Sequence, residues 1–285
     1  MDNAQWYMLA IVVSWVTAVR HPVDKRPRSR FTPRLRVVNG VTDINNQYPF
    51  IVSLETEESI HETIPFFRQC TGSLFTNQWV LTAAHCLDPG IKVVRYGDMS
   101  VPRKETKLLS QVLKQIPHPE YLSQNQGYRN NAEWLQNDIG LVHTKEIPMD
   151  RLGRIHTADY KTFIGRACRF AGFGLTSPNV DEMKLRDVIA DEKRPLLVGE
   201  GLIRGELEGA DAKISSPALA VVPKCGNSKQ WPNVGDSGGP LVIDKKIVGV
   251  CTGGSSYDEK RYIVNYYTPV SPYIDWIRNN IKSNT

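Results

Sequence analysis

From position 37 onward, apolar residues gather in short runs separated by turn formers. The runs are PFIVSL (49–54), WVLTAA (79–84), KVVRYG (92–97), DIGLVH (138–143), PLVIDKKIVGVC (240–251) and RYIVNYYTPV (261–270). Several carry Val and Ile and end at Gly or Pro, the pattern of short strands in a sandwich or barrel. The stretch SPYIDWIRNNIKSN (271–284) breaks it, because Ile274, Ile277 and Ile281 recur at helical spacing. Ser271 is suited to cap that helix and Pro272 to open it. The pattern predicts an all-β body with a C-terminal helix packed on it.

The first 36 residues follow another rule. Trp6 to Val19 is an apolar run of fourteen, broken only by Ser14 and Thr17, the length of a secretory signal core and short of the about 20 residues of a membrane helix. Val16-Thr17-Ala18 offers small residues for cleavage after Ala18, which predicts a signal peptide over 1–18. Asp2, with no Lys or Arg beside it, departs from the usual signal start, and a membrane anchor is the competing reading. Residues 19–36 are basic and Pro-rich without apolar periodicity, hence expected to be extended or disordered. No other run is long enough to span a bilayer, so no membrane partner is expected once the signal is removed.

Charge alters the picture little. The chain has 35 Lys and Arg against 30 Asp and Glu, but residues 1–36 hold seven of the cations and only Asp2 and Asp24. The body from 37 to 285 is left with 28 of each sign, so it presents no general basic field for nucleic acid. Five cysteines (Cys70, Cys86, Cys168, Cys225, Cys251) form no CxxC pair, which argues against zinc or thioredoxin-type chemistry. An odd count in a secreted chain leaves at least one thiol free or paired between chains.

Three segments fit acyl-transfer chemistry: LTAAHC places His85, NDIGLV places Asp138, and GDSGGP places Ser237. A serine hydroxyl needs a base to take its proton, and the base needs an anion to orient it and stabilise its cation. A developing oxyanion needs backbone N–H donors, which flanking glycines let approach closely. Any of these segments alone is commonly a cap, a core histidine or a loop.

Together, and in order, they resemble the chymotrypsin-like (S1) serine proteases. RVVNG (36–40), CTGSL (70–74), TAAHC (82–86), NDIGL (137–141), AGFG (171–174), GDSGGPL (235–241) and DWI (275–277) follow that family's sequence of motifs. The resemblance implies two six-stranded antiparallel β-barrels with the site at their junction, in a peptidase domain over 37–285. It implies His85 as general base, Asp138 as its orienting anion, Ser237 as nucleophile, and the N–H groups of Gly235 and Ser237 as oxyanion hole. It also implies that residues 19–36 are an activation propeptide. Cleavage after Arg36 would free the Val37 amine to pair with Asp236. The implied partners are protein or peptide substrates, an activating protease and proteinaceous inhibitors, with the enzyme a secreted monomer. No metal or cofactor is implied. Asp98 and Glu105 lie in a loop where some relatives bind calcium, but two carboxylates are too few and an ordinary loop is expected.

Several positions depart from the family. Cys70 and Cys86 match a family bridge, whereas Cys168 has Ile243 where its usual partner stands, and Asn233 replaces a half-cystine beside the substrate pocket. Cys168, Cys225 and Cys251 could supply one bridge and a spare thiol, and spacing does not decide which. At the floor of the first-residue pocket, where trypsin-like members carry Asp, stands Trp231. Gly254 and Asn265 occupy its walls, with Asp258 and Glu259 in a nearby loop. An indole gives no charge partner for Arg or Lys, so an apolar preference is expected. The alternative is a pocket-blocked homologue acting as a binding or regulatory protein.

Overall fold

The computed structural model describes residues 37–56, 68–103, 105–121, 136–174, 195–205, 217–224, 230–255 and 264–284. The expected signal and propeptide segments, with Arg36, lie outside these residues, as do Cys225, Asp258 and Glu259.

A two-residue strand β1 (Val41–Thr42) comes first. Six strands then form a closed antiparallel barrel: β2 (Ile51–Thr56), β3 (Arg68–Thr76), β4 (Trp79–Thr82), β5 (Ile91–Arg95), β6 (Leu109–Pro117) and β7 (Gly140–Thr144). Its core includes Leu54, Leu74, Val80, Leu81, Val94 and Leu141, all fully buried. The Cys70–Cys86 disulfide joins β3 to the turn after β4. It closes a sequence separation of 16, a constraint that contributes about 3 kcal/mol in the chain-entropy account. In the loop after β5, the Asp98 carboxylate accepts the Ser100 N–H. Nearby, the Arg103 guanidinium reaches back 2.8 Å to the buried Glu55, beside the buried Arg95.

The second half begins with the short β8 (Arg154–Ile155). It continues through β9 (Ala167–Gly172), β10 (Leu197–Arg204), β11 (Leu219–Pro223), β12 (Pro240–Ile243), β13 (Lys246–Ser255) and β14 (Val264–Pro269). The order β9-β10-β11-β14-β13-β12 returns to β9, closing a second six-stranded barrel, with β1 on β10 and β8 on β13. Strand β10 alternates buried and part-exposed residues, as expected where one face lines a core. The expected single run 240–251 is two strands, because Asp244 and Lys245 turn the chain with φ of 49° and 61°, as a tight hairpin requires.

The helix α1 (Ile274–Ser283) follows a single 3-10 turn over Ser271–Tyr273. Ser271 does not cap it. Its hydroxyl accepts the Tyr160 N–H instead, and the helix start has no side-chain cap. Ile277 is buried in the core, with Ile281 packed against it. Among the described residues no helix is long and apolar enough to cross a membrane.

The structure narrows the cysteine pairing that spacing leaves open. Cys168 on β9 and Cys251 on β13 are both free and buried, so they do not bridge to each other. Both belong to the second barrel's core with Tyr267, where burial pushes Cys168 up to about 12 and raises Cys251 further.

Candidate active site

His85 sits in a single 3-10 turn, Ala84–Cys86, directly after β4. Asp138 immediately precedes β7, which pairs with β4, so the hydrogen-bonded ladder of the first barrel brings the two together. Asp138 is fully buried. Its Oδ2 lies 2.7 Å from His85 Nδ1, and its Oδ1 accepts the His85 backbone N–H at 2.8 Å. Both carboxylate oxygens are thereby committed to one residue, an arrangement that orients the ring and favours the Nδ1–H tautomer. Tyr121 lies near this carboxylate. Burial and the Asp138 charge hold its phenol well above the usual value, so it stays neutral. The ring Nε2 lies 3.7 Å from Cys86 Sγ. Cys70, His85 and Cys86 cluster closely enough to suggest a metal site, but the two sulfurs are joined to each other and are not ligands.

Ser237 lies between β11 and β12 on a loop clamped by the first barrel. Thr71 on β3 donates its N–H to the Ser237 carbonyl and its hydroxyl to the Gly235 carbonyl, both at 2.8 Å. Gly238 donates to the Cys251 carbonyl, and Gly239 both donates to Asp236 and accepts from Cys251. Gly238 has φ of 77°, and a Cβ there would stand 2.1 Å from Thr82 Oγ1 and 3.1 Å from the Ala83 nitrogen. Only glycine lets the loop press this closely on the segment that carries His85. Among the described residues the N–H groups of Gly235 and Ser237 donate to no acceptor.

Asp236 is buried. Its carboxylate accepts the N–H groups of Gly174 at 2.8 Å and Asn233 at 2.9 Å. A Cβ at Gly174 would meet Asp236 Cγ at 2.6 Å, which explains a glycine at the end of AGFG. Val37 is fully buried in the second core with Phe170 and Leu197, and its φ of 40° is an outlier for a β-branched residue. The next residue, Val38, donates its N–H to the Trp231 carbonyl at 3.0 Å. Trp231 is half-buried. Gln230 beside it binds the Glu200 N–H and the Asn39 carbonyl, tying the segment to both β10 and the start of the domain.

The residues expected to wall the pocket come together across β13 and β14, where Gly254 stands opposite Asn265. A bulge between Cys251 and Gly253 shifts the register there. Asn265 is buried and also pairs with Val221 on β11.

The trypsin family model matches residues 37–277. The chain belongs to the trypsin family. This trypsin-family chain is 28% identical to a trypsin of Xenopus laevis over 253 residues, covering 87% of itself and 92% of that protein. It is 30% identical to human kallikrein-8 over 228 residues, covering 75% and 77%. Its fold is that of neuropsin, a serine protease of mouse brain, with a TM-score of 0.63 at 24% identity, covering 86% of this chain and 99% of the other. The family comprises serine endopeptidases acting on protein substrates, and this trypsin-family chain is classed with them. Its family match begins at Val37, the residue where the composition changes.

Two contributors were not singled out from the sequence. Thr71 lay inside CTGSL, where its neighbour Cys70 drew attention; its clamp on Gly235 and Ser237 appears only once β3 is seen beside the nucleophile loop. Gln230 had no signal beyond adjoining Trp231.

Proposed function

We propose that this protein is a secreted serine endopeptidase that cleaves peptide bonds through an acyl-enzyme on Ser237. The observation that carries the reading is the buried Asp138 carboxylate committed through both oxygens to His85, next to a nucleophile loop pinned by Thr71. In this reading His85 Nε2 takes the Ser237 proton as Oγ attacks the substrate carbonyl. Asp138 stabilises the imidazolium. The uncommitted Gly235 and Ser237 N–H groups receive the oxyanion. Collapse of the tetrahedral intermediate expels the amine, which carries away the proton from His85. Water, deprotonated by the same ring, then releases the acid and restores Ser237.

The chain is made with a signal peptide over 1–18 and an activation segment over 19–36. Cleavage after Arg36 frees a Val37 ammonium for the buried Asp236. Support comes from the burial of Val37 and from its backbone, since hydrolysis removes the peptide that defines its positive φ. The Val38–Trp231 hydrogen bond links the new terminus to the pocket floor, so activation and pocket shape are coupled. With Trp231 at the floor and a buried Asn265 on the wall, the residue before the scissile bond is apolar rather than Arg or Lys. The enzyme acts as a monomer, on protein or peptide substrates, and is open to proteinaceous inhibitors.

The test is a fluorophosphonate probe applied after cleavage at Arg36. The wild type is expected to label and Ser237→Ala to remain unlabelled. Absence of labelling at every pH between about 6 and 9, a range that spans the ordinary imidazole titration, sinks the enzyme reading. It would leave the pocket-blocked homologue, which Trp231 and the missing cysteine at Asn233 favour.

A further inference from the structure

The residue before Asp138 is held as firmly as Asp138 itself, and from an unexpected direction. Asn137 has φ of 53°, in the left-handed region that asparagine tolerates better than most residues. Its carbonyl accepts the Ile139 N–H at 2.7 Å, closing a three-residue turn with Asp138 at the centre. Its carboxamide is clamped at both ends. Nδ2 donates to the Glu120 carbonyl at 3.3 Å, and Oδ1 accepts the Tyr273 hydroxyl at 2.8 Å.

Tyr273 belongs to the turn that opens α1, 136 residues further along the chain. It is buried, and its ring meets the His118 ring edge-on at 5.0 Å. Trp276, one turn further on, also packs on His118, with ring centroids 5.0 Å apart. The His118 N–H donates to the Ile139 carbonyl at 3.0 Å, so both backbone neighbours of Asp138 are tied into one cluster. Burial, with the Glu120 and Asp138 charges, raises the Tyr273 phenol, so it remains a donor wherever the histidine base works.

We propose that Tyr273 is a positioning residue: by fixing the Asn137 carboxamide it sets the turn that aims the Asp138 carboxylate at His85. The C-terminal helix thereby supports the chemistry of the first barrel. This rests on the proposed triad. A carboxylate that loses its aim loses its grip on the His85 ring, and an offset of about 1 Å at a reacting group costs up to about a hundredfold in rate.

The experiment measures fluorophosphonate labelling of chain cleaved after Arg36, resolved into kinact and KI. Tyr273→Phe keeps the ring and deletes the hydroxyl. Asn137→Gly keeps the left-handed backbone and deletes the carboxamide. Each is expected to lower kinact about tenfold with KI unchanged, and the pair to be no worse than Asn137→Gly alone. The low-field proton resonance of the His85–Asp138 hydrogen bond is expected to broaden or shift in both. An unchanged resonance with kinact within about twofold of wild type, whatever happens to thermal stability, overturns the role, as do additive losses in the double variant. Asp138→Asn separates the two readings. If it collapses labelling while Tyr273→Phe does not, positioning alone fails; if Asp138→Asn labels normally, the triad assignment fails and positioning with it.

Discussion

Thr71 makes a compact case of how much one side chain decides. It is fully buried, its hydroxyl donates to Gly235, its N–H donates to Ser237, and its own carbonyl accepts the Thr82 hydroxyl. Replacing it with valine preserves shape and removes one hydroxyl. The Gly235 carbonyl, buried and then unsatisfied, would cost about 1–3 kcal/mol. Because the lost bond holds a member of the proposed oxyanion hole, labelling by fluorophosphonate should also slow. Urea unfolding and labelling rate, measured on the same Thr71→Val sample, check both. A variant with wild-type stability and rate would show that the clamp is incidental.

At the scale of elements, the second barrel buries titratable groups in an apolar core. Cys168, Cys251 and Tyr267 all have their ionisation raised chiefly by desolvation. The Tyr267 hydroxyl meets no partner at hydrogen-bond geometry among the described residues; the Cys251 thiol is its polar neighbour. Cys168 moves from 9.0 to about 12 on folding. The folded state therefore holds its proton where the unfolded chain releases it. Stability from this group is complete below about pH 9 and declines as pH rises toward 12. Urea unfolding at successive pH values above 9 should show a wild-type decline steeper than that of Cys168→Ala by about 1 kcal/mol per pH unit. Equal slopes would mean that the thiol ionises freely in the fold.

For the whole molecule, the decisive contact is between the start of the domain and a loop two hundred residues later. Val37 and Val38 reach the second core and the Trp231 carbonyl, and the buried Asp236 carboxylate accepts two backbone N–H groups. In the proposed activation the freed Val37 ammonium brings an opposite charge to that buried carboxylate, which can select one arrangement of the loop. Arg36→Gln is expected to yield a folded precursor that an Arg-directed protease cannot process at this position. It should label with fluorophosphonate at least about a hundredfold more slowly than the cleaved wild type, the scale of losing one oxyanion donor. Full activity of uncleaved Arg36→Gln would refute the zymogen reading while leaving the triad untouched.

Much of this was legible in the linear chain. Strand runs at 49–54, 79–84 and 138–143 were visible because apolar content and turn residues are local properties. Ordered motifs carried the family, and with it the two-barrel expectation. The strands β3, β6, β9 and β10 were not singled out, because their apolar residues alternate with polar ones or are broken by glycine; β11 is a short apolar run, LAVVP, that pairing with β10 and β14 makes a strand. The hairpin at Asp244-Lys245 was hidden for a similar reason: neither residue announces a left-handed turn. The fate of Cys168 and Cys251 was also beyond reach, since spacing says which thiols exist but not which strands face one core. Residue type thus determined the chemistry available at His85, Asp138 and Ser237. Only the closed barrels decided that Thr71 would clamp the loop that carries Ser237 and that a tyrosine of the turn opening the last helix would hold the residue before Asp138. Those contacts join positions more than a hundred residues apart, and such proximity is created by strand register and packing rather than by any local pattern.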